Sequence, residues 1–435
     1  MSEVAQAPHS SPDGHIPQLR FPEFNVSWNE YKLGSITDVV DSLHTTPKDY
    51  VSSGFPMIRV VDVSNIELDL NKCLNVSEET YRQFTKKYQP KVGDVVLSRV
   101  GTCGASIMLR TKDNVCLGQN TVLLHPKINK DFYHILVKSN IFQVQVSRRV
   151  VGSTQKTLSL KDLKLFKLNI PAKPEQQKIA AFLTAVDTKI EQLSKKQALF
   201  SEYKKGLMQQ IFSQAIRFKA DDTPGQPLLP NGNSPSGSEF PDWEEKKLGD
   251  IGHTFNGLTG KTKDDFGRGK PYIQYMQIFE SSKINIDNFG LVDVRDDENQ
   301  KVAQYGDVFF TTSSETPDAV GYSSVLLDDI DKLYLNSFCF GFRPNSLDEL
   351  SPNFAQFLLR SANFRRRVVR LAQGSTRYNM SKVQLMKEVI SLPCLKEQTK
   401  IANFLSSIDS KIEQVSKQLD ESKQFKKALL QQMFV

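Results

Sequence analysis

Apolar side chains in the second quarter of the chain, Ile179, Leu183, Val186, Ile190, Leu193, Phe200, Leu207 and Ile211, follow alternating three- and four-residue steps. Gln197 and Lys204 fill the two polar stations. This spacing predicts the seam of a long helix packed as a coiled coil. Near the other end, Ile401, Leu405, Ile408, Ile412, Val415, Leu419, Leu429 and Met433 repeat the pattern, interrupted by Ser422 and Lys426. Pro171 and Pro174 end what precedes the first helix, and Pro174 with Glu175 suits a first turn, where one amide is unbonded and the dipole favours acid. A helix of about 38 residues would be about 57 Å long.

Elsewhere the pattern changes to short β-type runs bounded by turn residues, at 56–61, 94–97 and 121–124, then at 271–275, 307–310 and 338–342. Helical spacing returns at 132–149 and 354–370. Each globular part therefore reads as a mixed α+β module.

The two parts are copies of one plan. Shifting the chain by 222 residues lays Asp131 to Phe212 on Asn353 to Phe434 without a gap, with about four positions in ten identical. Trp28, Leu33, Gly34 and Ile36 are echoed by Trp243, Leu248, Gly249 and Ile251, and Gly93-Asp94-Val95 by Gly306-Asp307-Val308. The offset changes upstream, so the ends of each copy are alike and its middle is not. The pattern divides the chain into a disordered tail (1–18), a first module (19–170), a first helix (171–214), a flexible Pro/Gly/Asn/Ser-rich linker (215–238), a second module (239–392) and a second helix (393–435). Antiparallel pairing of the helices, giving a two-fold-like dumbbell, needs no long return path.

Composition narrows the class. With 435 residues, 39% hydrophobic and 24% charged, the chain is long enough for two or three ordinary soluble domains. No apolar run is long enough to cross a membrane and no signal peptide is visible, so a cytoplasmic location is expected. Five scattered cysteines suggest neither disulfides nor zinc. The net charge of +7 is compatible with a polyanion without requiring one; Arg148 and Arg149 match the region of Arg365, Arg366, Arg367 and Arg370.

Catalytic signatures are missing. The stretch 257–262 resembles a phosphate loop, but Phe255 stands where the motif needs glycine; a flexible basic loop is the plainer reading. Gly101 and Gly104 suggest a tight turn. Glu175, Asp187 and Glu191 read as solvent-facing partners of Lys178, Lys189 and Lys195, and Lys204-Lys205 and Lys426-Lys427 as solvated charge. No Asn-Pro-Pro-Tyr type motif or nuclease metal cluster is evident.

The motif from Leu19-Arg20-Phe21-Pro22 to Trp28, the Gly-Asp-Val strands, Gly152-Ser153-Thr154 with Gly374-Ser375-Thr376, and the Pro…Glu-Gln…Ile helix openings resemble, in this order and twice, the specificity subunits of Type I restriction-modification enzymes. The resemblance implies a non-catalytic DNA-binding protein for phage defence. Two target-recognition domains would each read half of a bipartite double-stranded target, and the helices would set their spacing, since half-sites on one face of DNA recur every 34 to 36 Å or multiples of it. It also implies two docked methyltransferase subunits using S-adenosylmethionine, and motor-nuclease restriction subunits using ATP and Mg. An unrecognised nuclease or methyltransferase, or a stand-alone DNA-binding or coiled-coil adaptor, remains an alternative.

Base readout needs exposed donors and acceptors. The candidates are Arg99, Thr102, Gln155 and Lys156 in the first module and Thr312, Ser313, Arg377 and Tyr378 in the second, with Arg148 and Arg370 for phosphate. Gly152 and Gly374 are expected to shape their loops.

Overall fold

The computed structural model describes residues 16–63, 68–151, 156–218, 220, 229–230 and 240–435. The chain forms two compact units, one of Met1–Ser194 with Lys417–Val435 and one of Lys195–Ser416. Most of the expected tail (1–18) and linker (215–238) lies outside the described residues.

In the first unit, strand Asn29–Lys32 pairs antiparallel with Lys167–Ile170, tying the start of the module to the residues just before the first long helix. Between them lies a sheet of β1 (Thr37–Asp41), β2 (Val95–Ser98), β3 (Ser106–Met108) and β4 (Thr121–Pro126), in the order β1-β4-β2-β3. Side chains of a strand alternate between faces. Val95, Leu97, Val122 and Leu124 accordingly join the core built with the helices, while Val96, Ile107 and Leu123 join a second cluster on the other face. Burial on both faces explains why these strands read as continuous apolar runs.

The second unit repeats the scheme. Glu244–Lys247 pairs with Val389–Leu392, and β5 (Gly252–Asn256), β6 (Val308–Thr311), β7 (Ser323–Val325) and β8 (Cys339–Pro344) form a sheet in the order β5-β8-β6-β7. Its Phe310, Phe340 and Phe342 face one core and Phe309 and Cys339 the other.

The divergent middles also share a topology. In each, a central strand (Phe55–Ile58 or Phe266–Ile273) pairs antiparallel with one neighbour (Leu74–Val76 or Gly290–Val292) and parallel with another (Cys116–Leu117 or Tyr334–Leu335). Sequence had marked these middles as unlike, because the loops differ while the strand order does not. The run at 56–61 gives only a short strand before Val60–Val63 turns helical. Each helical stretch that closes a module is two helices, Lys130–Lys138 with Asn140–Arg149 and Pro352–Leu358 with Ala362–Arg370. The breaks fall at Ser139 and Ser361, both buried.

The long helices are α1 (Lys173–Phe212) and α2 (Leu395–Gln432). Ile179, Leu183 and Val186 near the start of α1 share a core with Leu429 and Met433 near the end of α2. In the other unit Leu207 and Ile211 share one with Ile401, Leu405, Ile408 and Ile412. Start meets end both times, so the helices run antiparallel. Leu193 and Val415 are buried seam positions, whereas Ile190 and Ile412 are half-buried.

Several expected solvent charges are structural. Glu175 is 2% exposed and receives both arms of Arg20, each at 2.7 Å. Glu397 is fully buried and is held by Arg217 at 3.2 and 2.8 Å and by the Trp243 indole at 3.2 Å. A buried carboxylate needs such partners. Lys426 pairs with Asp187 at 2.5 Å and Lys204 with Asp409 at 2.6 Å, whereas exposed Lys178 stays in a surface pair, with Glu23. The described start of the expected linker is likewise docked, since Ile216–Arg217 pairs with Leu229–Pro230 and Phe218 meets Phe404 edge to face. Arg217 and Phe218 thus repeat Arg20 and Phe21, the latter stacked edge-on against Phe182, and the inserted chain interrupts this opening motif.

Candidate nucleic-acid interface

The loop after each Gly-Asp-Val strand is held from both sides by backbone hydrogen bonds. The Arg99 amide donates to the Asn120 carbonyl (3.1 Å) in the turn before β4, and the Leu158 amide donates to the Arg99 carbonyl (2.9 Å). In the second module the Thr312 amide donates to Phe338 (3.1 Å) and the Met380 amide to Thr312 (2.9 Å). The two loops chosen from sequence therefore meet in each module, together with a third turn, at Asn120 or Phe338, that sequence reasoning missed. Ladder register identifies the equivalence, because Ser98 pairs with Thr121 and Thr311 with Cys339.

The first of these loops is short. The Gly104 amide returns to the Ser98 carbonyl (2.9 Å), and Gly101 and Gly104 take positive φ (73° and 90°), as expected of a tight turn. The Gly101 amide and the Cys103 thiol both donate to the Lys156 carbonyl, at 3.0 and 3.3 Å. In the second module the matching closure, from the Gly321 amide to Thr311 (3.1 Å), spans a longer loop. Arg365 supports that loop by donating to the carbonyls of Gly321 (2.5 Å), Asp318 (2.9 Å) and Val320 (2.7 Å), and its guanidinium lies 4.2 Å from the Tyr322 ring centre. Burial lowers the pKa of Arg365 and brings that of neighbouring Arg360 to about 10. Gln143 takes the place of Arg365 in the first module, donating to the Gly104 carbonyl at 3.0 Å.

The candidates separate into displayed and packed groups. Thr102, Lys156, Arg148, Arg370 and Arg377 are exposed, and Thr312 and Tyr378 are half-exposed. Arg99 is not displayed: its side chain is 11% exposed, with Nε 3.5 Å from Asp41 and a terminal nitrogen 3.1 Å from His44. Ser313 is also buried, in the small strand Ser313–Ser314 that pairs with Tyr378–Met380. Both serve the shape of the platform better than a base edge, because their polar or backbone groups are already engaged. Gln155 and Gly152 lie outside the described residues. Gly374 takes φ 137°, and a Cβ there would overlap the Arg377 carbonyl, as a loop-shaping glycine requires.

Other chemistry is spoken for. Lys261, in the stretch resembling a phosphate loop, is 7% exposed and bonded to Glu298 at 2.6 Å, so it is not offered to a phosphate. Glu298 is held down to about 2 by Lys261, Gln300 and the Arg295 amide. Among the described residues there is no metal-type cluster of His, Cys, Asp and Glu, and no helix long and apolar enough to cross a membrane.

The family model for the Type I restriction modification DNA specificity domain matches residues 25–199 and again 241–422. The putative type I restriction enzyme MjaX specificity subunit of Methanocaldococcus jannaschii is 24% identical over 96% of this chain and 93% of its own length. The EcoBI specificity subunit of Escherichia coli is 29% identical over 35% of this chain and 33% of its own. In fold, the chain is similar to the S subunit of a Type-I restriction-modification system from M. genitalium, with TM-score 0.56 and 16% identity over 97% of this chain and 99% of that one. With the DNA specificity domain matched twice over most of its length, the chain belongs to the specificity subunits of Type I restriction-modification enzymes.

Proposed function

We propose that each module reads one half of a bipartite DNA sequence, and that α1 and α2 set the distance between the halves and dock two methyltransferase subunits. The observation that carries this reading is the platform built twice with different side chains. Lys156 of one module stands where Tyr378 stands in the other, and where the second module displays Thr312 the first packs Arg99 inward, on matching backbone hydrogen bonds. One scaffold with two sets of groups suits two different half-sites, since phosphate contacts position a protein and base contacts specify. Exposed Arg148 and Arg370, each in the last turn of its helix, suit the phosphates.

Tyr203 and Phe425 support the docking role. They occupy equivalent positions in the two copies and remain 55% and 53% exposed on the two long helices. Repeated aromatic anchors suit two copies of one partner. In this reading the chain itself catalyses nothing. S-adenosylmethionine serves the methyltransferase subunits, and ATP and Mg serve motor-nuclease restriction subunits, in the cytoplasm.

Long-read mapping of methylated adenines, in cells with and without the gene for this chain, tests the proposal. A bipartite motif that disappears with the gene is expected; a contiguous motif, or methylation by the purified chain alone, would overturn it.

A further inference from the structure

Phe338 is 59% exposed, although it lies between the buried strands Tyr334–Leu335 and β8. More than half of its surface is open to solvent, so the side chain is accessible to a ligand lying on the platform. The backbone around it is fixed. Its amide donates to the Asn336 side chain at 2.8 Å, and its carbonyl accepts from Thr312 at 3.1 Å. The ring therefore stands at a defined point of the second platform, whose Thr312 carbonyl in turn holds the segment carrying Arg377 and Tyr378. The same station in the first module carries Asn120, in the left-handed conformation (φ 68°). A platform station with a polar residue in one copy and an apolar one in the other is where two readers of different sequences should differ.

We propose that Phe338 is a specificity-determining residue of the second module, and that its ring contacts the C5 methyl group of a thymine in the major groove. The inference rests on the DNA-reading role proposed above. A phenyl ring has neither donor nor acceptor, and the thymine methyl is the apolar group that base edges present in that groove. Arg377, exposed on the adjoining hairpin, supplies the cation that brings a phosphate or a guanine to the same surface.

The test uses the complex of this chain with its methyltransferase subunits and duplexes carrying the mapped target. Each thymine of the half-site read by the second module is replaced in turn by deoxyuridine, which lacks only the methyl. At one position the parent complex should bind about fourfold more weakly, the effect of one lost buried methyl. Phe338→Ala should be insensitive to that replacement, Phe338→Leu should retain part of the sensitivity, and the other half-site should be unaffected in all three. Equal binding by the parent at every deoxyuridine position would overturn the thymine assignment. So would a Phe338→Ala complex that keeps the parent's sensitivity. Failure of the parent to bind the unmodified duplex would instead refute the DNA-reading function, which separates the two outcomes. Because the ring is exposed, unchanged Trp243 fluorescence should confirm that the variants fold.

Discussion

Phe434 packs edge to face on Trp28, with ring centres 6.2 Å apart, so the end of α2 and the residues just beyond it complete the core of the first module. The relation recurs in the second unit, where Phe212 at the end of α1 packs on Trp243 at 6.5 Å. Each module is thus closed by the helix that follows the other. The repeated carboxylates act beside these contacts, with Arg20 clamping Glu175 and Arg217 clamping Glu397 at the helix starts.

Phe434→Ala should destabilise the first unit by about 3–5 kcal/mol, since it empties a site that is 4% exposed in the fold. The chain has two tryptophans, one in each module, which makes the effect local to observe. In urea unfolding, Trp28 emission should shift to lower denaturant while Trp243 emission does not. Phe212→Ala should give the converse. Simultaneous loss of both signals in either variant would contradict separate closure.

Asp187 with Lys426 and Lys204 with Asp409 are the same pair formed from opposite partners, each offset by 222 residues. Asp187→Lys alone should cost about 1 kcal/mol, within the usual range for partly exposed pairs. Adding Lys426→Asp should restore most of it, and 1 M salt should reduce both effects. Additive losses in the double variant would show that the pair contributes nothing.

His134 makes the first unit sensitive to acid. Its Nε2 is buried without a hydrogen bond, and burial, followed by the charges of Lys138, Arg110 and Lys426, lowers its pKa to about 3. The unfolded chain takes up this proton near pH 6.5 and the folded chain only near 3, so stability is full above 6.5 and is lost as pH falls between them. The slope there approaches ~1.4 kcal/mol per pH unit, or about 2 kcal/mol between pH 7 and pH 5. Gln356 occupies the matching position in the second copy, so His134→Gln is a natural replacement. It should flatten the pH dependence of Trp28-detected unfolding between pH 5 and 6.5; an unchanged profile would discount His134.

Tyr203→Ala combined with Phe425→Ala should leave the thermal midpoint within about 2 °C, because both rings are exposed. Co-purification with the methyltransferase subunits should fall at least tenfold, as for anchors of an interface. Undiminished co-purification would move the docking surface elsewhere on the helices.

Periodicity alone located α1 and α2, because a long seam is a local pattern written into the spacing of Ile179, Leu183 and their counterparts. The internal repeat, through its Gly-Asp-Val and Gly-Ser-Thr landmarks, marked the two loops that meet in each module. It did not find Phe338, since an exposed phenylalanine beside a buried strand looks like the strand's own core. Nor did it identify Arg217 as the repeat of Arg20, because inserted chain separates Arg217 from the Phe240-Pro241 that continues the motif.

The sequence by itself determined that this protein is one plan used twice, with helices alike and module middles different, because identity and hydrophobic spacing are properties of neighbours along the chain. Only the tertiary structure decided which charges are buried and which display. Whether Glu175 faces water or Arg20, and whether Arg99 reaches outward or is held by Asp41, depends on residues far away in sequence whose approach no local pattern encodes. Desolvation then settles the matter, since a carboxylate enclosed by the fold must find its cation there.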